Sequence, residues 1–198
     1  MEDRIPVEFG GGNGLREIRD YEAAALEHGF PGLFFPLTGY DGRKGAVGWI
    51  DRQGMVPLCK AGELSAVNAL GILEQLVYGM YEDMDLCLLP EDCRLSVDDI
   101  YVDTATWKVR AVFRPAAESD AACDPASAIR RKAALAASGM LRSAEIGARG
   151  YLERAVRILN RDDMSLDRAV SGLEALKRRA FRLSDPEGSK LDFGNVFV

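Results

Sequence analysis

The sequence predicts an α+β fold. Short apolar runs bounded by Gly, Pro and Asp occur in the first 116 residues, a long apolar stripe with helical spacing follows Gly62, and three more helical patterns follow Asp124. With 47% hydrophobic and 28% charged residues, the 198-residue chain has the composition of a soluble globular protein. We divide it into an α+β body (1–116), a linker (117–124), a helical subdomain (125–183) and an irregular tail (184–198).

The first predicted elements are an edge strand and a helix. Arg4 to Phe9 predicts a short strand, which we place at a sheet edge because Pro6 lacks a backbone donor. After the glycine-rich run 10–14, Asn13 is suited to cap a helix of about four turns. The apolar side of that helix contains Leu15, Ile18, Tyr21, Ala25 and Leu26, and the helix stops at Gly29 and Pro31.

Two hairpins and one long helix complete the predicted body. Leu33–Leu37 and Ala46–Ile50 flank a turn-rich segment and predict the first hairpin, and Ile100–Val102 with Lys108–Phe113 predicts the second. The strongest helical pattern lies between them, and Pro90 marks the turn that follows it. Its apolar positions are Leu64, Val67, Leu70, Leu73, Val77 and either Met80 or Tyr81.

Three helices are predicted after the linker. Asp124 followed by Pro125 is an N-cap with a first-turn proline. The helices are Ala126–Met140, Ala144–Leu159 and Leu166–Leu183, the last of them capped by Ser165.

Charge is distributed unevenly along the chain. Residues 1–124 contain 22 acidic and 11 basic residues (net −11), residues 125–183 contain 6 and 13 (net +7), and the tail contributes −2, which together give the net charge of −6. We expect the basic helices to dock on the acidic body of the same molecule, and the alternative is that they face an acidic partner.

Cysteine and histidine usage excludes the common metal and thiol sites. Cys59, Cys87, Cys93 and Cys123 form no C-x-x-C pair, and His28 is the only histidine, so we expect reduced, packed thiols. The alternative is a disulfide between cysteines that the fold brings together, which the spacing leaves open. The sequence also lacks a secretory leader and any apolar run of membrane-spanning length, and we expect a cytoplasmic protein.

The segment from Cys93 to Arg114 reads CRLSVDDIYVDTATWKVRAVFR and has the layout of a protein-kinase catalytic loop followed by a hairpin. Together with the run from Tyr21 through Pro31-Gly32-Leu33 and with Trp49-Ile50-Asp51, it resembles a bacterial domain of unknown function. That domain is usually found ahead of forkhead-associated (FHA) domains, and it resembles more distantly the pseudokinase-like domain of the type VII secretion apparatus. The resemblance covers residues 1–116 and implies a degenerate protein-kinase-like body with a small antiparallel sheet.

Compared with a kinase, the catalytic groups are replaced. A kinase needs an aspartate that positions the substrate hydroxyl, and an asparagine and an aspartate that bind magnesium. Arg94 stands at the position of the catalytic aspartate, Val112 at that of the metal-binding aspartate and Asp99 at that of the asparagine. The sequence therefore predicts a protein that is not an enzyme and has no cofactor. The literal Asp192-Phe193-Gly194 is a coincidence of sequence, because it follows the helical subdomain.

Two sets of residues remain as candidate binding sites. Gly11 and Gly12 precede a predicted helix and could approach a phosphate, with Asp99 as the one remaining metal ligand of the loop. The basic residues that could contact a partner are Arg130, Arg131, Arg157, Lys177 and Arg178. Nucleic acid is not the expected partner, because the isoelectric point is about 5.0 and groove-reading motifs are missing.

We expect a non-catalytic protein-interaction or scaffold module, which the resemblance links to phospho-dependent signalling or to secretion-related assemblies. One alternative is a degenerate nucleotide-binding or phosphotransfer protein that uses Asp99 and the glycine run. Another is a regulatory helical module that binds an acidic partner through its basic C-terminal helices.

Overall fold

The first sheet contains three strands, all from the first 51 residues. The computed structural model describes residues 3–10, 14–41, 47–117 and 124–184. It begins with strand β1 (Arg4–Glu8), helix α1 (Asp20–His28) and strands β2 (Leu37–Asp41) and β3 (Val47–Asp51). The strands pair antiparallel in the order β1-β3-β2, which confirms the edge position predicted from Pro6.

The predicted start of the first helix is wrong. Helix α1 begins only at Asp20, because the residues before it pair with a later strand instead of coiling: Arg16 N donates to Pro115 O at 3.1 Å. The predicted helix end at Gly29 is confirmed, while Asn13 lies outside the described residues.

Five short strands and one long helix lie between residues 56 and 115. They are β4 (Val56–Pro57), α2 (Ala66–Asp83), β5 (Cys93–Arg94), β6 (Ile100–Val102), β7 (Val109–Ala111) and β8 (Arg114–Pro115). Strands β4, β6 and β7 form a second antiparallel sheet in that order, and β5 pairs with β8. The second predicted hairpin is the β6–β7 pair, and Asp103 closes its turn by accepting from Ala105 N at 2.8 Å and Thr106 N at 3.2 Å. The first strand of the other predicted hairpin is wrong, because Leu37–Asp41, and not Leu33–Leu37, pairs with β3.

Helix α2 follows the predicted pattern closely. Ser65 caps it by accepting from Asn68 N at 3.2 Å. Met80 occupies the last core position, whereas Tyr81 is 59% exposed, so the structure decides between the two residues that the pattern left open.

The three C-terminal helices are confirmed within two residues of their predicted bounds. They are α3 (Pro125–Met140), α4 (Ile146–Leu159) and α5 (Leu166–Ser184). Asp124 caps α3 by accepting from Ser127 N at 3.1 Å, and Ser165 accepts from Arg168 N at 3.4 Å at the start of α5.

Helix α2 is the element around which the other parts pack. It contacts α3, α4, α5 and β7, and the hydrophobic cluster found among the described residues extends from the sheets through α2 into all three C-terminal helices. The architecture confirms the α+β class. Within the described residues, no helix combines the length and the apolar character needed to cross a membrane.

Candidate functional site

The three residues that the resemblance aligns with kinase catalytic positions are Arg94, Val112 and Asp99. Arg94 is exposed on β5 and pairs in register with Arg114 on β8. Val112 is only 3% exposed, and its backbone nitrogen donates to Asp99 O at 2.8 Å. The apolar side chain of Val112 cannot coordinate Mg²⁺.

The Asp99 carboxylate is held by neighbouring side chains. Its Oδ1 accepts from Arg114 Nε at 3.1 Å, and its Oδ2 accepts from Ser96 Oγ at 2.8 Å. Arg114 also donates from Nη1 to Glu8 O at 3.0 Å. Asp99 thereby ties the turn before β6 to β8 and β1, and a ligand would have to replace an ion pair that is part of the fold.

The other two proposed nucleotide contacts are Gly11 and Gly12. Gly11 and Gly12 lie outside the described residues, as does the segment 192–194. Among the residues that are described, no group of three or more His, Cys, Asp and Glu side chains could hold a metal ion.

A buried ion network fixes the start of α1. Arg16 donates to both oxygens of Glu22, at 2.7 Å and 2.5 Å, and this bond raises the pKa of the arginine above its usual value. Glu22 also accepts from Arg19 N at 2.8 Å, while Arg19 Nη1 donates to Asp92 at 2.8 Å. Both carboxylates are buried and paired, so the network serves to join α1 to the turn at Pro90–Asp92.

The three described cysteines are unpaired and differ in their exposure. Cys93 is buried, and burial raises the pKa of its thiol to about 12, so it stays protonated at neutral pH. The expectation of packed thiols is wrong for Cys59 and Cys87, which are both exposed: Cys59 lies within the short 3-10 turn Leu58–Lys60, and Cys87 directly follows the 3-10 turn Met84–Leu86. Cys123 lies outside the described residues.

Two of the predicted partner residues line a polar cavity between α3 and the end of α4. The cavity has a volume of about 470 Å³. Arg130 is 6% exposed and donates to Arg161 O and, at 2.9 Å, to Ser127 Oγ. Arg131 is exposed at the same cavity. Arg130 therefore stabilises the helix packing, and Arg131 is the more accessible of the two.

The other predicted partner residues lie on α4 and α5. Arg157 is exposed and donates to a backbone oxygen one turn earlier in α4 at 3.3 Å. Lys177 forms an ion pair with Glu74 of α2, which joins the basic helix to the acidic body. Arg178 is exposed and lies 3.9 Å from a carboxylate oxygen of Glu174. Lys177 and Arg178 thus lie next to each other on α5, whereas Arg157 lies on α4.

A groove runs along the contact between α2 and α5. A cavity of about 410 Å³ is lined by Val67, Glu74, Glu174, Lys177, Arg178 and Phe181, together with Arg182. A second cavity, of about 290 Å³, has Tyr78, Tyr81, Asp167, Val170 and again Glu174 in its walls. We call this pair of cavities the α2–α5 groove.

Three aromatic side chains at the groove are exposed in spite of their size. Tyr78 is 48% exposed, and Tyr81 and Phe181 are each 59% exposed. Tyr78 OH reaches Glu174 Oε1 at 3.5 Å, across the groove. Large aromatic residues of this kind are enriched at protein–protein interfaces.

The two tyrosines at the groove, Tyr78 and Tyr81, are a surface feature that is not among the sites predicted from the sequence. Tyr78 and Tyr81 each stand next to a residue of the buried stripe, Val77 and Met80, and they are three positions apart on one side of the helix. Two aromatic residues on one side of a helix, outside its buried stripe, indicate an exposed aromatic surface, and this pattern could have predicted the groove from the sequence.

The comparisons with known proteins do not assign a family. The chain matches no protein-family model, and the search of the curated proteins finds no significant match to it.

Proposed function

We propose that this chain is a non-catalytic protein-interaction module whose docking face is the α2–α5 groove. The observation that carries the proposal is the groove itself, with Tyr78, Tyr81 and Phe181 exposed along it. Exposed aromatic side chains that surround a concave surface are typical of sites where one protein binds another.

The geometry of the kinase-like turn supports the non-catalytic part of the proposal. Asp99 is bonded to Arg114 and Ser96, and Val112 is buried. Phosphoryl transfer depends on groups that position the nucleophile and bind magnesium, and these side chains are instead used to hold the turn. We propose that the body is pseudokinase-like on this ground.

The resemblance to a domain that precedes FHA domains suggests where such a module would act. We propose phospho-dependent signalling or a secretion-related assembly as its setting. The α2–α5 groove would then contribute a contact that depends on shape and charge rather than on a reaction.

Affinity purification of the full chain from its own cells tests the proposal. A Tyr81→Ser/Phe181→Ser double variant removes the aromatic surface, and an Ile146→Ser variant is the matched control because Ile146 is 87% exposed on α4. We expect the double variant to lose partners that wild type and control retain. If the double variant keeps the same partners in the same amounts, the proposed function is wrong.

A further inference from the structure

The walls of the α2–α5 groove are two antiparallel helical stripes. Along α2 the contacts with α5 run from Glu74, which pairs with Lys177, to Tyr78, which reaches Glu174. The contact residue on α2 advances from 74 to 78 while its partner on α5 goes back from 177 to 174, so the two helices run antiparallel. The α2 wall includes Val67, Glu74, Tyr78 and Tyr81, which are spaced at i, i+7, i+11 and i+14. The α5 wall includes Asp167, Ser171, Glu174, Arg178 and Phe181, which are spaced at i, i+4, i+7, i+11 and i+14.

This spacing suits a third helix. Residues that recur at three, four and seven positions form the ridges and grooves into which another helix packs. The distance from Val67 to Tyr81 along α2 is about 21 Å, at about 1.5 Å per residue, which corresponds to a partner helix of about four turns.

The groove is charged differently at its two ends. Asp167 lies at the end formed by the start of α5, and Arg178 and Arg182 lie towards its last turn, while Glu174 lies between them in the wall of both cavities. The Arg178–Glu174 pair is 3.9 Å long and exposed, so it contributes little and leaves the arginine accessible. Arg182 is exposed and makes no hydrogen bond or ion pair with another described residue.

We propose that the α2–α5 groove binds an amphipathic helix of a partner protein, with apolar residues on one side and acidic residues at the end that meets Arg178 and Arg182. This inference rests on the proposed function and names the chemistry of the partner. The apolar side of the partner helix would cover Tyr78, Tyr81 and Phe181, and the carboxylates would fix its direction in the groove.

Other classes of partner fit the groove less well. An extended peptide adds to a sheet edge through backbone hydrogen bonds, but α2 and α5 use their backbone groups within the helices. Nucleic acid would place phosphates against Glu74, Glu174 and Asp167, which line the same surface.

A displayed library of random 16-residue peptides provides the test. The library is selected on the full chain and counter-selected on Phe181→Ser, with thermal unfolding used to check that each variant is folded. We expect the enriched peptides to be acidic and to carry apolar residues at i, i+3 or i+4, and i+7. Their affinity should fall at least about tenfold in Phe181→Ser and stay unchanged in Ile146→Ser. Selection on Arg178→Glu/Arg182→Glu should enrich basic peptides instead.

Four outcomes would overturn the inference. The first is that no peptide is enriched on wild type relative to Phe181→Ser, and the second is that the enriched peptides lack helical spacing of their apolar residues. The third is that the same peptide charge is enriched on wild type and on Arg178→Glu/Arg182→Glu. The fourth is that peptides bind only after residues 185–198 have been removed. Sedimentation adds a further one, because a dimer of the wild type that Phe181→Ser dissociates would assign the groove to a second copy. If partners in cells still depend on Tyr81 and Phe181 while the selection fails, the helix inference is wrong and the proposed function stands.

Discussion

The carboxylate of Asp83 lies 2.5 Å from the backbone nitrogen of Gly32, which donates to Oδ1. Its Oδ2 accepts from Leu33 N at 3.0 Å and from Phe34 N at 3.2 Å. The last residue of α2 therefore receives three backbone donors from the segment before β2, and Asp83 itself is only 1% exposed. This contact holds the N-terminal sheet region against the central helix.

Replacing Asp83 tests how much this contact stabilises the fold. We expect Asp83→Ala to lower the free energy of unfolding by about 3 to 5 kcal/mol, because it leaves three backbone donors without an acceptor. Asp83→Asn keeps one oxygen and should lose less. Urea unfolding measures both, and Asp85→Ala, at an exposed position, is the control with an expected change within about 0.5 kcal/mol. Equal losses for Asp83→Ala and Asp85→Ala would contradict this role.

The same carboxyl group predicts an unusual pH dependence. Burial raises the pKa of Asp83, although the three backbone hydrogen bonds and Arg110 oppose the shift. The folded state then binds more protons than the unfolded state between the unfolded pKa of about 3.9 and the raised folded pKa. The stability that Asp83 contributes is therefore largest below the unfolded pKa and falls as the pH rises towards the folded pKa.

The difference in unfolding free energy between wild type and Asp83→Asn, measured from pH 4 upwards, isolates this contribution. We expect the advantage of wild type to shrink with rising pH and then to level off. Asp103 is the contrasting control: hydrogen bonds from Ala105 N and Thr106 N lower its pKa, so its contribution is lost as the pH falls. A wild-type advantage over Asp83→Asn that grows with pH would mean that the pKa of Asp83 is lowered instead.

Helix α3 packs so closely on the turn before β6 that adding one methyl group to α3, at Gly139, should destabilise the fold. A Cβ atom at Gly139 would lie 2.0 Å from Val97 Cγ2, so Gly139→Ala should destabilise the protein by about 1 to 3 kcal/mol. Gly150→Ala on α4 is the matched control, because nothing lies within 4 Å of its Cβ position, and it should stabilise by about 0.5 to 1 kcal/mol.

Thermal unfolding of the Gly139→Ala/Val97→Ala double variant separates the clash from a general helix effect. The second substitution removes the methyl groups that the new Cβ would meet, so the double variant should lose less stability than the sum of the two single variants. Additive losses would show that α3 and this turn do not pack as described.

The ion pair of Asp99 with Arg114 predicts that magnesium and ATP do not stabilise the protein. A ligand at about 100 times its dissociation constant adds about 2.7 kcal/mol of stability, which a thermal-shift measurement detects. We expect no shift for wild type with ATP and magnesium, and none for Asp99→Ala. A shift of several degrees that disappears in Asp99→Ala, or phosphoryl transfer that this variant abolishes, would favour the nucleotide-binding alternative.

Several elements could be predicted because their signals are local. Asp124 and Ser165 cap helices through bonds to residues three positions away, and the buried stripe of α2 is visible as a period in the sequence. The start of α1 could not be predicted, since it depends on the pairing of Arg16 with Pro115 and on the ion network with Asp92. Contacts with residues so distant in the sequence do not change the local helix propensity, so a local pattern cannot predict them.

The sequence by itself determined the α+β class and the helices after Asp124, because these follow from residue type and spacing. Only the tertiary structure decided that the Asp99 carboxylate is bonded to Arg114 and that Tyr78 meets Glu174 across a groove. Tyr78 and Glu174 are 96 positions apart in the sequence. A surface formed by two such distant helices exists only after both helices have packed on the same core.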